Sequence, residues 1–288
     1  MKSKKLAMLE TQEIYIGARR VLLDALEALV EHRKSIVVVG AQAVYLHAGS
    51  SELAISPYTK DADLAINPMQ LSHSPEIFHT MTSAGFELLE NGSPGQWTKS
   101  IELGGNTVHI PVDLMVPSSF VTRQSRRSAK LDGHNKRVAR KVDGIEAVLI
   151  DNGLKIISGL ESNDCRQIAV SVAGPASLII AKSYKIHERQ HSQNRFVDKD
   201  ALDVYRLIQS ISSEDIVTGL LKVLNDSKSH EMASTGIRYF VELFSTKRAA
   251  GLRMISNSLD EPSARVEQLA LDRVGQILEG IDATDIGS

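Results

Sequence analysis

Apolar positions along the chain recur with two different spacings. From Ile14 onward, Val21, Leu22, Ala25, Leu26 and Leu29 repeat at helical intervals while Glu27, Glu31 and Arg33 fall elsewhere on the wheel, which predicts an amphipathic opening helix. The run Ile36-Val37-Val38-Val39 is β-branched and does not alternate, so it reads as a strand covered on both faces. Gly40 ends that strand, residues 41–47 read as a short helix, Ser56-Pro57 breaks the chain, and Leu64-Ala65-Ile66 forms a second buried strand. Ser74-Pro75-Glu76 predicts a helix start, with serine as the cap and proline in the first turn, and Ala84-Gly85 closes that helix.

Strands return at 86–89, 97–103 and 108–116, separated by Asn91-Gly92 and Gly104-Gly105, both of which are turn chemistry for antiparallel hairpins. Residues 123–141 are strongly basic and poor in large apolar side chains, which predicts a loop or exposed helix, and 147–150 and 168–172 read as further strands. From Pro175 onward the pattern turns helical, through Leu178-Ile179-Ile180, then 201–208, and on to the region of Leu278. The expected fold class is α/β (α+β): a mixed sheet flanked by helices over residues 1–172, followed by a mainly helical C-terminal domain over 173–288.

Composition adds little direction. The hydrophobic share of 42% and charged share of 24% are ordinary for a globular chain, and a net charge of -2 means that any nucleic-acid contact must come from a local patch. The single cysteine, Cys165, excludes an internal disulfide and a thiolate zinc site, so a reducing, cytoplasmic setting is expected. Met-Lys-Ser-Lys-Lys opens the chain without a following apolar run, which predicts neither a secretory signal nor a membrane partner.

The chemistry concentrates on three acids. Asp61 and Asp63 stand two apart at the start of a strand, and because side chains alternate, both carboxylates project from one face. Asp113 lies inside the apolar strand His109-Ile110-Pro111-Val112-Asp113-Leu114-Met115-Val116, where an unpaired carboxylate would be costly to bury. A metal ion would satisfy it, and so would a lysine or arginine; an isolated Asp-x-Asp is more often a pair of loop acids. Three carboxylates holding two magnesium ions stabilise both the attacking and the leaving oxygens of an in-line displacement.

Context favours the metal. The order strand, Gly40-Ala41, short helix, Thr59-Lys60-Asp61-Ala62-Asp63, strand, helix, hairpins and a late Asp113 resembles the nucleotidyltransferases of the DNA polymerase β superfamily. Within it the closer likeness is to AbiEii-type toxins of toxin–antitoxin and abortive-infection systems, which resemble one another in a helix lysine, a basic stretch and Asp-x-x-Asp; here Lys182, Arg189, Arg195, Lys199, Asp200 and Asp203 fall in that order. The likeness spans roughly residues 35–210.

The resemblance implies Mg²⁺ or Mn²⁺ on Asp61, Asp63 and Asp113, with Asp113 also helping to deprotonate the acceptor. Thr59 would lie beside the phosphates, Lys182 would reach the triphosphate, and Asp200 would orient that lysine or the acceptor, with Asp203 a weaker candidate. Gly40 would admit a phosphate close to the backbone. The implied substrate is a nucleoside triphosphate, the implied acceptor an RNA, transfer RNA foremost, or a protein, and the implied further partner a cognate antitoxin. The chain departs from the pattern at Ala41, where a phosphate-binding serine often stands and Gln42 is the nearest polar substitute, and at Pro57, where an arginine is usual and Lys60 would have to supply the charge. A non-catalytic module of the same fold and a carboxylate-metal phosphohydrolase are the alternatives.

Other signals are weaker. The basic residues Arg123, Arg126, Arg127, Lys130, Lys136, Arg137, Arg140 and Lys141 suit an RNA backbone or a triphosphate tail as well as plain solvation. His187 and His191 have zinc-ligand spacing but read as a polar helix face, Trp97 reads as core, and Cys165 has no histidine near it in sequence to activate it.

Overall fold

A computed structural model describes residues 2–49, 59–89, 93–121, 127–189, 197–259 and 262–285. The expected mixed sheet with flanking helices is present: an eight-stranded sheet, with a run of helices toward the C-terminus. The contacts divide the chain into two compact units. The first comprises residues 1–43, 56–142 and 153–172, and the second 44–55, 143–152 and 173–288.

In the first unit, helix α1 (Lys2–Ala28) leads into strand β1 (Ile36–Val39), and α2 (Gly40–Ala48), whose residues from Val44 belong to the second unit, begins at the strand's end. Strand β2 (Ala62–Ile66), helix α3 (Ile77–Ser83), and strands β3 (Glu87–Leu88), β4 (Gln96–Leu103), β5 (Asn106–Pro117) and β6 (Arg140–Val142) follow, with β7 (Asn152–Ser158) and β8 (Gln167–Ala173) completing the sheet. The strand order is β3-β4-β5-β2-β1-β8-β7, with β6 paired to β5 beyond the end of β4. β1 is buried along its whole length, as its unbroken apolar run requires. Gly104-Gly105 closes the β4–β5 hairpin between the paired residues Leu103 and Asn106.

α1 covers one face of this sheet. A side chain at Gly17 would collide with Leu103 and Ile101, and Asp24 pairs with Lys99 at 2.7 Å. These β4 positions are odd-numbered and therefore project opposite to Gln96, Thr98 and their register partners on β5. Val21, Leu22, Ala25, Leu26 and Leu29 are all fully buried, each leucine worth about 1.5–3 kcal/mol of burial.

Several expectations need correction. Residues 147–150 are not a strand; a 3₁₀ helix spans Glu146–Leu149, with Val148 N–H donating to Ile145 and Ile150 N–H to Ala147. A short apolar run has no periodicity to separate the two states, and no neighbouring strand pairs with this one among the described residues. Helix α3 starts at Ile77 rather than at Pro75: Glu76 takes the cap, its Oε2 accepting from the His79 amide at 3.2 Å, while the Pro75 carbonyl faces His32 Nε2 at 2.7 Å. The described part of the basic segment is loop over 127–139, one of the two states expected, and differs only in entering strand β6 at Arg140. Strand β7 was not anticipated from the sequence: of its apolar side chains Leu154 and Ile156 are exposed and Ile157 alone is buried, so no regular alternation marks it. Asn91-Gly92, Ser56-Pro57, Arg123, Arg126, His191 and Arg195 lie outside the described residues.

The second unit is built from α4 (Pro175–Arg189), α5 (Val197–Ser210), α6 (Ser213–Leu224), α7 (His230–Phe244), α8 (Ala250–Asn257) and α9 (Ala264–Asp285). α4 packs on α5, α6 and α7, and α9 on α6 and α8. Ser212 caps α6 by accepting from the Asp215 amide at 3.1 Å. Among the described residues no helix is long and apolar enough to cross a membrane.

Candidate active site

β2 and β5 run parallel, and their register sets Asp63 directly beside Asp113. Strands so paired lie about 4.8 Å apart and register partners project to the same side, so the two carboxylates are neighbours on one face. That face is the one opposite α1, because Asp113 is also in register with Gln96. Asp61 precedes β2 by one residue and accepts a short hydrogen bond from the Thr59 hydroxyl. Thr59 itself is buried and Lys60 is exposed.

Gly40 explains how Asp63 is seated. Its φ is +69°, and a Cβ there would come within 2.0 Å of Asp63 Oδ2. The turn from β1 into α2 therefore needs glycine twice over, for its left-handed backbone and to leave room for the carboxylate. Gln42, two residues further on, is buried; its Oε1 accepts from Arg19 Nε at 3.0 Å, and its Nε2 has no hydrogen-bond partner among the described residues.

Asp113 is met by an arginine. Arg140 Nη2 lies 2.8 Å from Asp113 Oδ2 and 3.3 Å from Met115 Sδ, with both charged side chains about a quarter exposed at 28% and 21%. β6 pairs parallel with β5 so that Arg140 stands beside Met115, two residues from Asp113, and all three project to one face. Gly95 holds this corner together. Its amide donates to the Arg137 carbonyl and its carbonyl accepts from the Leu114 amide, and a Cβ there would come within 2.3 Å of Leu114 O and 2.6 Å of Arg140 N. Trp97, fully buried, donates from Nε1 to the Val138 carbonyl at 3.0 Å and fastens the same segment.

An oxygen-only donor set of adjacent carboxylates fits a hard divalent cation such as Mg²⁺ or Mn²⁺. Asp63 and Asp113 meet that requirement by position. Asp61, however, is engaged by Thr59 and Asp113 by Arg140, and among the described residues no three His, Cys, Asp or Glu side chains close into a metal-holding group. Of the two partners that sequence left open for Asp113, an arginine is present. No signal in the sequence singled out Arg140 from its basic neighbours; only the pairing of β6 with β5 does so.

The second unit carries its own charged cluster. Lys182 Nζ on α4 lies 2.7 Å from Asp200 Oδ1 and 2.7 Å from Asp203 Oδ2, both on α5. Lys185 also reaches Asp200 at 3.1 Å, and Arg206 reaches Asp203 at 3.1 Å while lying over the Tyr45 ring, its Cζ 5.0 Å from the centroid. Lys182, Asp200, Asp203 and Arg206 are all buried. Burial by itself would pull the Lys182 ammonium down, but the carboxylates of Asp200 and Asp203 outweigh it and hold Lys182 well above the ordinary lysine range. Burial would likewise raise Asp200, and Lys182 with Lys185 outweighs it and lowers that carboxyl. Asp200 and Asp203 thus hold Lys182 at equal distance, and Asp203 shares its charge with Arg206 as well.

His187 stacks on Tyr239 with ring centroids 3.6 Å apart and lies 3.8 Å from Glu242. Cys165 is exposed and free. No protein-family profile, curated protein or solved structure matches the chain.

Proposed function

We propose that the chain is a metal-dependent nucleotidyltransferase that moves a nucleoside monophosphate from a nucleoside triphosphate to an RNA, transfer RNA foremost, or to a protein, as a toxin of the AbiEii type kept in check by a cognate antitoxin. One observation carries this reading: Asp63 and Asp113, fifty residues apart in sequence, stand in register on adjacent parallel strands beside the Gly40 turn. When bound, Mg²⁺ or Mn²⁺ would neutralise charge on the triphosphate and on the acceptor oxygen. The chain's own contribution is positional. Gly40 leaves the volume that Asp63 occupies, Thr59 orients Asp61, and Asp113 accepts the acceptor hydroxyl proton. The exposed Arg127, Lys130 and Lys136 give a polyanionic acceptor or the triphosphate tail a surface to follow.

The test incubates the purified chain with each α-labelled triphosphate, magnesium and total RNA, and repeats it with Asp63→Ala. Label on RNA, lost in the variant, is the expected result; label on the protein itself identifies protein modification. Release of free phosphate or monophosphate with no labelled acceptor identifies a phosphohydrolase and overturns the transfer reading.

A second reading has an observation of its own. The Arg140–Asp113 pair already satisfies the third carboxylate, as expected of a module that keeps the fold without catalysis. Failure of the purified chain to bind either Mn²⁺ or triphosphate would establish that reading instead.

A further inference from the structure

Arg140 sits where a cation acting on Asp113 would act. Its guanidinium approaches a single oxygen of Asp113, Oδ2, at 2.8 Å, and no hydrogen bond to Oδ1 is present among the described residues. The other contact of the same nitrogen is the thioether of Met115, a weak acceptor, and Arg140 Nε is sealed from water without a partner. The guanidinium is therefore held mainly by Asp113, and its seat is otherwise poor.

The backbone beneath it is fixed more firmly. Arg140 is in register with Met115 on β5, Gly95 is wedged against its amide, and Trp97 anchors Val138. A change at this corner thus falls on one partly exposed side chain, not on the strand. Two adjacent carboxylates repel, and one positive charge relieves that repulsion; a divalent ion at Asp113 relieves it further and in turn repels the arginine.

We infer that Arg140 is the resident counter-ion of Asp113 and competes with a divalent cation for that carboxylate, so that this ion pair sets how readily the site takes up metal. Arg140 is in this sense a positioning residue, acting through Asp113. The inference rests on the metal-dependent reading above and adds to it the group that must be displaced.

The test measures Mn²⁺ binding to the full chain by the paramagnetic resonance of free Mn²⁺, with no substrate present. Wild type is compared with Arg140→Gln, Arg140→Lys, the double variant Arg140→Gln/Asp113→Asn, and Asp63→Asn. Arg140→Gln is expected to bind Mn²⁺ on the order of tenfold more tightly, a moderate coupling for two charges sharing one ligand. The lysine, shorter but still cationic, should tighten it by less, and the double variant should lose the gain. Circular dichroism verifies folding. Should the glutamine variant fail to fold, Arg140→Lys carries the test: tightening supports competition and its absence overturns it. Binding that depends on Asp63 but is indifferent to, or weakened by, Arg140→Gln overturns the inference while leaving the metal reading standing. Mn²⁺ binding by no form of the chain overturns both.

Discussion

Replacing Lys182 by methionine removes the charge between two buried carboxylates and keeps most of the side-chain volume. Asp200 and Asp203 are 3% and 4% exposed, so neither can recover hydration when its 2.7 Å contact to the ammonium disappears. Removing one member of a buried ion pair costs about 3–5 kcal/mol, mostly because the remaining charge is left uncompensated. Here each carboxylate keeps a second cation, Lys185 on Asp200 and Arg206 on Asp203, both at 3.1 Å, which places the expected loss at the lower end, about 3 kcal/mol. The assay is urea unfolding followed by far-ultraviolet circular dichroism, which reads the helices of the second unit; the only tryptophan, Trp97, lies in the first. The triple variant Lys182→Met/Asp200→Asn/Asp203→Asn, which discharges the cluster together, should recover most of the loss. A Lys182→Met chain within about 0.5 kcal/mol of wild type, the scale of an ordinary surface substitution, would refute the argument. It would mean that the ammonium is not held between α4 and α5, and would return Lys182 to the role of a mobile charge for the triphosphate.

Gly40→Ala should destabilise the first unit by about 1–3 kcal/mol, since it places a Cβ against Asp63 at positive φ, and it should also weaken Mn²⁺ binding; an unchanged melting temperature would count against the geometry of that turn. Burial holds His134 below its ordinary value of 6.5, aided by His32 and His73 and opposed by the Ser72 carbonyl and Glu76, so its native form is neutral, with Nδ1 accepting from the Ile77 amide. The stability this contributes is complete above pH 6.5 and is lost as pH falls through the lower folded value; urea midpoints measured across that range should show a shallower decline in His134→Gln than in wild type, and equal slopes would refute it. Trp97→Phe should cost about 1–3 kcal/mol by leaving the Val138 carbonyl unpaired, read by circular dichroism because the fluorophore is gone. If the basic segment follows RNA, raising salt from 50 to 200 mM should weaken RNA retention steeply, and Arg127→Ala with Lys130→Ala should reduce the slope; a flat salt dependence would make these residues a solvated face.

Local pattern was sufficient for much of this molecule. The unbroken Ile36-Val37-Val38-Val39 run announced a fully buried strand, the spacing of Val21 to Leu29 announced the buried face of α1, and Gly104-Gly105 announced the hairpin that sets β4 against β5. Each depends only on interactions within a few residues or on the average cost of exposing apolar surface, both of which are written along the chain. Asp61 and Asp63 were visible for the same reason, and so was the need of a carboxylate at Asp113 for a positive partner.

Which partner Asp113 meets is a different kind of information. Arg140 acquires its place because β6 pairs with β5 past the end of β4, an alignment fixed by Gly95 packing against two backbones and by Trp97 reaching Val138. Likewise the coupling of Lys182 to both acids of α5 depends on how two helices lie against each other, and the strand character of β7 on a neighbour rather than on its own alternation. Strand order, register and helix packing are settled by contacts between distant segments, whose energies no local window of the chain contains. The acids could therefore be named from the chain alone, whereas the charges that hold them belong to the folded arrangement.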